Sequence, residues 1–139
     1  MNTKRMRAYR LHSRARFEEL QRIVWQYRDM LEEMDSLATA APSLDGMPRG
    51  TGTSDPTHAA AVRRDYLSTR VMAIEWAARV AAGDMAKGLL QTVTTRGSSY
   101  EWARSRGLIY MGRRQFYETR AHFFWLLDRA FSQKGHSLS

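Results

Sequence analysis

An all-α fold is predicted, on three observations. In residues 17–38 the apolar side chains Leu20, Val24, Tyr27, Leu31, Met34 and Ala38 alternate spacings of four and three, the heptad stripe of a coiled-coil helix. Leu67, Val71, Ile74, Ala78 and Ala81 repeat that pattern in a second segment. Beyond residue 83 the chain divides into shorter stretches, each with an inward apolar set and a cap or stop residue at its ends. A length of 139 residues allows one modest core and one extension. The organisation expected is a basic arm at 1–16, a long antiparallel helical hairpin at 17–82 with its loop at 42–55, a helix-turn-helix domain at 83–131 and a flexible tail at 132–139.

The first helix should end at "ATAAPSL", because Pro42 disfavours helical geometry at Ala41. The loop that follows contains "DGMPRGTGTSDPT", whose glycines before a helix invite comparison with a phosphate-cradling turn. That reading is the weakest: the P-loop lysine and a preceding strand are missing, and Asp55 places negative charge where a phosphate would sit. The bend of a hairpin explains the loop better, with Met47 and Pro48 packing back on the hairpin or on the terminal domain, and with Gly50 to Thr53, which have nothing apolar to bury, as a linker. Ser54 or Asp55 suits the N-cap of the second helix and Pro56 its first position, where a missing N–H costs nothing. Two heptad helices joined by one loop most simply fold back on each other. The alanines of the second seam bury little area at about 25 cal/mol per Å², so self-association is expected to add what the hairpin lacks.

Gly83 and Asp84 mark a break, after which "MAKGLLQTV" reads as a short helix facing inward by Met85, Leu89, Leu90 and Val93. "TTRGSS" is a connector. Ser99 is an N-cap candidate, Tyr100 to Arg106 a short helix and Gly107 a stop. A long helix begins near Gly112 and runs to about Phe131, with Phe116, Thr119, Phe123 and Leu127 on its inner face. Its "HFFWLL" segment is apolar nearly all round, and Trp125 falls almost opposite Phe116, so that part should be enclosed by the hairpin or else lie at a subunit contact, with the intramolecular core preferred.

Composition narrows the chemistry. With no cysteine, a disulfide framework, a thiolate zinc site and a cysteine nucleophile are excluded. His12, His58, His122 and His136 are widely spaced, and adjacent carboxylates occur only as Glu18-Glu19 and Glu32-Glu33. No catalytic, metal or cofactor site is expected. The first residues, "MNTKRMRAYR", are basic without an apolar core after them, and no segment is long and apolar enough to cross a membrane. A cytoplasmic, nucleoid-associated protein is expected.

The net charge of +8 is unevenly placed. Residues 1–16 hold six basic residues and no acid, residues 17–38 hold six acids against Arg22 and Arg28, and residues 100–139 hold seven basic residues against three acids. Basic ends on a small chain point to nucleic acid. The short helix, glycine turn and long helix opening with "RRQFYETR" have the layout of a helix-turn-helix, whose second helix enters the major groove by its N-terminal residues. Ala103 and Gly107, four apart, fit the close packing and the turn of that motif. The connector from Gly107 to Gly112 is about two residues longer than the commonest form. Arg113, Arg114, Gln115 and Tyr117 are the candidates for base contact, since arginine pairs bidentately with guanine and glutamine with adenine. Arg104, Arg106 and Arg120, with Arg5 and Arg7 of the arm, are the candidates for phosphate contact.

Over residues 17–131 the combination of a helix, "DGMPRGTGTSDPT", a second helix and "SYEWA…RRQFYETRAHFFWLL" resembles phage transcriptional regulators of the RinA and ArpU type. That resemblance implies a C-terminal helix-turn-helix like region 4 of sigma factors, and activation of phage late genes, including packaging and morphogenesis operons. The family pattern opens the last helix with serine, two arginines, threonine, phenylalanine and tyrosine. Here Gly112 and Gln115 replace the serine and threonine, so base preference at Gln115 does not carry over. Double-stranded DNA, RNA polymerase and further copies of the chain are the partners this reading expects, with the acidic helix 17–38 as a surface for polymerase. Two other readings fit the same residues: a small-terminase-like packaging protein that assembles into a ring, and a helical interaction module that binds no DNA.

Overall fold

A computed structural model describes residues 9–11, 13–40 and 56–138, the side chains at 40 and 133–138 excepted. The fold is all-α. The helices are α1 (Arg14–Trp25), α2 (Tyr27–Ala40), α3 (Pro56–Ala82), α4 (Ala86–Val93), α5 (Tyr100–Ser105) and α6 (Arg113–Leu138), with one 3₁₀ turn at Gly83–Met85 and no strand among the described residues. None of these helices is long and apolar enough to cross a membrane. The glycine- and proline-rich loop and the arm residues Arg5 and Arg7 lie outside the described residues.

The stripe expected to run unbroken through 17–38 is interrupted at Gln26, whose N–H turns back to the carbonyl of Ile23 three residues earlier (3.0 Å). Beyond that residue the heptad no longer tells which side chains are buried. Leu20 and Val24 are fully buried as the heptad predicts, but beyond the break Met30 is buried while Leu31 and Ala38 face solvent. In α3 the expected seam holds at Leu67, Val71, Ile74 and Ala78, which are buried, while its last member Ala81 is only half-buried; Pro56 opens the helix.

The break at Gln26 also divides the chain. One compact unit is residues 27–72; the other joins the described residues up to 26 with those from 73 onward. This differs from the expected boundary between a hairpin at 17–82 and a separate C-terminal domain. In the first unit, Arg63 grips Glu33 with two parallel bonds (2.8 and 3.1 Å), and Arg64 Nε donates to the carbonyl of Met34 (3.3 Å). The hydrogen bond from Arg63 holds the Glu33 carboxyl below the usual carboxylate range.

In the second unit, α1 packs on α6 and α4 through Leu20 and Val24, and the Phe17 ring sets its edge on Phe124 with centroids 5.0 Å apart. Arg16, assigned to a DNA-binding arm by charge alone, is a structural residue: it bonds Asp128 of α6 (2.6 Å) and Glu19 (3.1 Å). Burial works against its charge, and those two bonds more than offset it, so its pKa lies above the ordinary value. Ser13 caps α1 by accepting from the Arg16 N–H (3.1 Å), so the ordered helix begins inside the segment expected to be an arm. At the other end α6 continues to Leu138, past the expected limit near Phe131.

Candidate nucleic-acid interface

The surface around the start of α6 is built by the segment before it. Ser99 caps α5 as predicted, accepting from the N–H of Trp102 (3.1 Å). Ala103 is fully buried, and Gly107, at φ +68°, takes the left-handed conformation that ends the helix. The N–H of Gly107 then bonds the Arg104 carbonyl and that of Leu108 the Ala103 carbonyl, both at 3.0 Å. Ile109 and Met111 are buried, and the Tyr100 hydroxyl ties the connector down by donating to the Met111 carbonyl (2.9 Å). The two residues by which this connector exceeds the common turn are thus anchored in the core. Underneath, α4 approaches so closely that a Cβ on Gly88 would lie 1.7 Å from the Leu108 carbonyl oxygen.

Gly112 opens α6 by accepting from the Phe116 N–H (2.9 Å). Phe116 is buried against Tyr100 with ring centroids 5.7 Å apart, and Phe123 and Leu127 continue the inner face. With Phe116 inward, helical periodicity turns Arg113, Arg114 and Gln115 to solvent, and all three are exposed. Tyr117 is half-buried, its ring edge-on to Phe116. Arg104, Arg106 and Tyr110 are exposed beside them in the chain segment that precedes the helix, Tyr110 at 82%.

Three cations of this surface are held in place. Arg113 pairs with Glu101 of α5 and lies over the Tyr117 ring at 5.5 Å. Arg106 stacks on Trp102 at 4.5 Å, and Arg104 donates to the Tyr100 hydroxyl (2.9 Å). Such contacts orient guanidinium planes while leaving donors for an incoming anion. Glu101 is the local competitor for Arg113.

Arg120, expected at a phosphate, is placed differently. It is half-buried, with its guanidinium over the rings of Phe17 (5.2 Å), Phe124 (5.6 Å) and Tyr117 (6.0 Å). Burial lowers its pKa from the ordinary value. Nothing in the heptad or charge pattern signalled this aromatic surround, because Phe17 comes from a helix expected to belong to another domain.

Trp125 is half-buried, as the apolar "HFFWLL" segment predicted, and part of its cover comes from residue 9. The Tyr9 ring stacks on His122 (4.2 Å, 12° between planes) and lies 5.5 Å from Trp125. Burial lowers the His122 pKa from 6.5. The unfolded chain therefore takes up this proton first. His122 contributes stability that is complete above pH 6.5 and is lost as pH falls through its lower folded value. We expect the urea midpoint to drop between pH 7.5 and pH 5, and His122→Phe to reduce that drop; an equal drop in both proteins would show that other groups cause it.

No group of three or more potential metal ligands occurs among the described residues. No protein-family model, curated protein or solved structure matches the chain.

Proposed function

We propose that the chain is a sequence-specific, double-stranded DNA-binding regulator that works by binding rather than catalysis. The observation that carries this reading is the start of α6. Burial of Phe116 turns Arg113, Arg114 and Gln115 outward together, at the end of a long helix, behind a turn made by Ala103 and Gly107. An exposed helix start bearing two arginines and a glutamine suits the major groove, where these side chains read guanine and adenine edges. Arg104 and Arg106 supply phosphate contacts. Following the resemblance to RinA- and ArpU-type regulators, the operators would lie before phage late or packaging genes. Activation would add a contact with RNA polymerase, for which the exposed acids Asp29, Glu32 and Asp35 of α2 are the surface offered.

A second reading, a small-terminase-like packaging protein that assembles into a ring, is favoured by α3. This helix leaves Val62, Tyr66 and Met72 exposed in one unit and Trp76 and Val80 in the other. Exposed large apolar side chains at helical spacing are what a subunit contact covers. Selection of bound duplexes from a random library, with light scattering on the same sample, tests both readings. Enrichment of one motif by a monomer or dimer is the expected result. A many-membered ring would favour packaging, and the absence of any motif would sink sequence-specific regulation.

A further inference from the structure

A cavity of about 450 Å³ lies in the second unit between the segment before α1 and the middle of α6. Three arginines line it: Arg10, Arg14 and Arg120. Arg10 and Arg14 are exposed, and Glu18 bonds only the Nε of Arg14 (3.2 Å). Arg120 is the unusual member. Among the described residues no carboxylate bonds its guanidinium, which is surrounded instead by the rings of Phe17, Tyr117 and Phe124, all of them walls of the same cavity. A cation removed from water without a counter-charge is costly, and aromatic faces offset only part of that cost.

We propose that this cavity binds a phosphate monoester carried on a flat ring, the chemistry of a nucleoside 5′-phosphate. The phosphate supplies the charge that Arg120 lacks, and Arg10 and Arg14 meet it from the other side. Guanidinium groups bind phosphate oxygens through paired N–H donors, and no carboxylate is among the described residues that line the cavity. The apolar walls take the ring, and the volume falls within the ordinary range of small-molecule sites. Desolvation of Arg120 in the unliganded protein agrees with a group held ready for an anion. The site shares none of Arg113, Arg114 or Gln115 with the proposed groove contact, but it takes in Tyr117 and Arg120, which the sequence pattern alone places at DNA.

Titration calorimetry on the full chain, with adenosine 5′-monophosphate as the probe and adenosine and inorganic phosphate as comparisons, tests it. The nucleotide should bind with a Kd on the order of tens of micromolar, and each fragment at least about tenfold more weakly. Arg120→Met keeps the apolar stem and removes the charge; it should weaken nucleotide binding at least about tenfold while leaving the melting temperature of the free protein unchanged or raised. Ala121→Leu fills the cavity without touching a charge and should weaken binding likewise. If a single strand with a 5′-phosphate competes and one with a 5′-hydroxyl does not, the ligand is a DNA strand end; if neither competes, it is a free nucleotide. Failure of the nucleotide to bind, or equal affinity in the wild type and both variants, would overturn the proposal. A lowered melting temperature in Arg120→Met with unchanged nucleotide affinity would show the guanidinium to be a structural clamp only.

Discussion

Gly88→Ala is expected to destabilise the protein by about 3 kcal/mol, at the upper end of what overpacking does in a well-packed core. The added methyl would meet the carbonyl oxygen of Leu108 at 1.7 Å and its carbonyl carbon at 2.7 Å, so the obstruction is backbone and cannot rotate away. Either α4 retreats or the 107–112 connector moves. Both routes disturb the same features: the Leu108 N–H bond to Ala103, the buried Ile109, and the Tyr100 tether at Met111. Chemical denaturation should show the loss as a lower midpoint with an unchanged slope. Gly112→Ala is the control, because nothing lies within 4 Å of a Cβ there. Equal effects of the two substitutions would show that close approach at Gly88 does not limit packing.

Arg113→Ala with Arg114→Ala is expected to weaken binding to a selected operator by about a hundredfold or more, since each bidentate base contact contributes about 1–3 kcal/mol. The loss should be much smaller on unrelated DNA. Arg104→Ala should behave the other way, weakening all duplexes alike and reducing the log–log salt slope by about 0.9. Glu101→Gln adds a further check. It releases Arg113 from its ion pair and should tighten binding, because the competitor is gone while the stacking on Tyr117 remains. Binding that ignores salt and the double substitution would remove α6 from the interface and favour a pure interaction module.

The helices were legible in the sequence because caps and apolar periodicity are local. Pro56, Ser99, Gly107 and Gly112 all mark ends where propensity and geometry agree. The outward cluster at Arg113, Arg114 and Gln115 was legible for the same reason, once Phe116 was taken as inward. The interruption at Gln26 was not. No proline or glycine stands there, and the heptad continues across it in sequence although the buried face shifts from Leu31 to Met30. That single residue hid the partnership of α1 with α6. With it went the roles of Arg16, which bonds Asp128, and of Arg120, which meets Phe17. Arginines from the two basic ends of the sequence thus serve a helix contact at Asp128, an aromatic surround at Phe17 and an exposed helix start. Only tertiary partners distinguish them.

The tie between Arg16 and Asp128 spans 112 positions of chain. During synthesis, α1 leaves the ribosome long before its partner helix exists, and at usual elongation rates the wait is roughly 6–20 s. Leu20 and Val24 can meet α4 once residues 86–93 are made, but Phe17 has no native ring to join until Phe124 follows. Residues 27–72, whose contacts are local, can settle first. Of the described helices α1 is thus the first made and among the last to be fully covered, and its Phe17 edge stays open to non-native contacts until α6 follows.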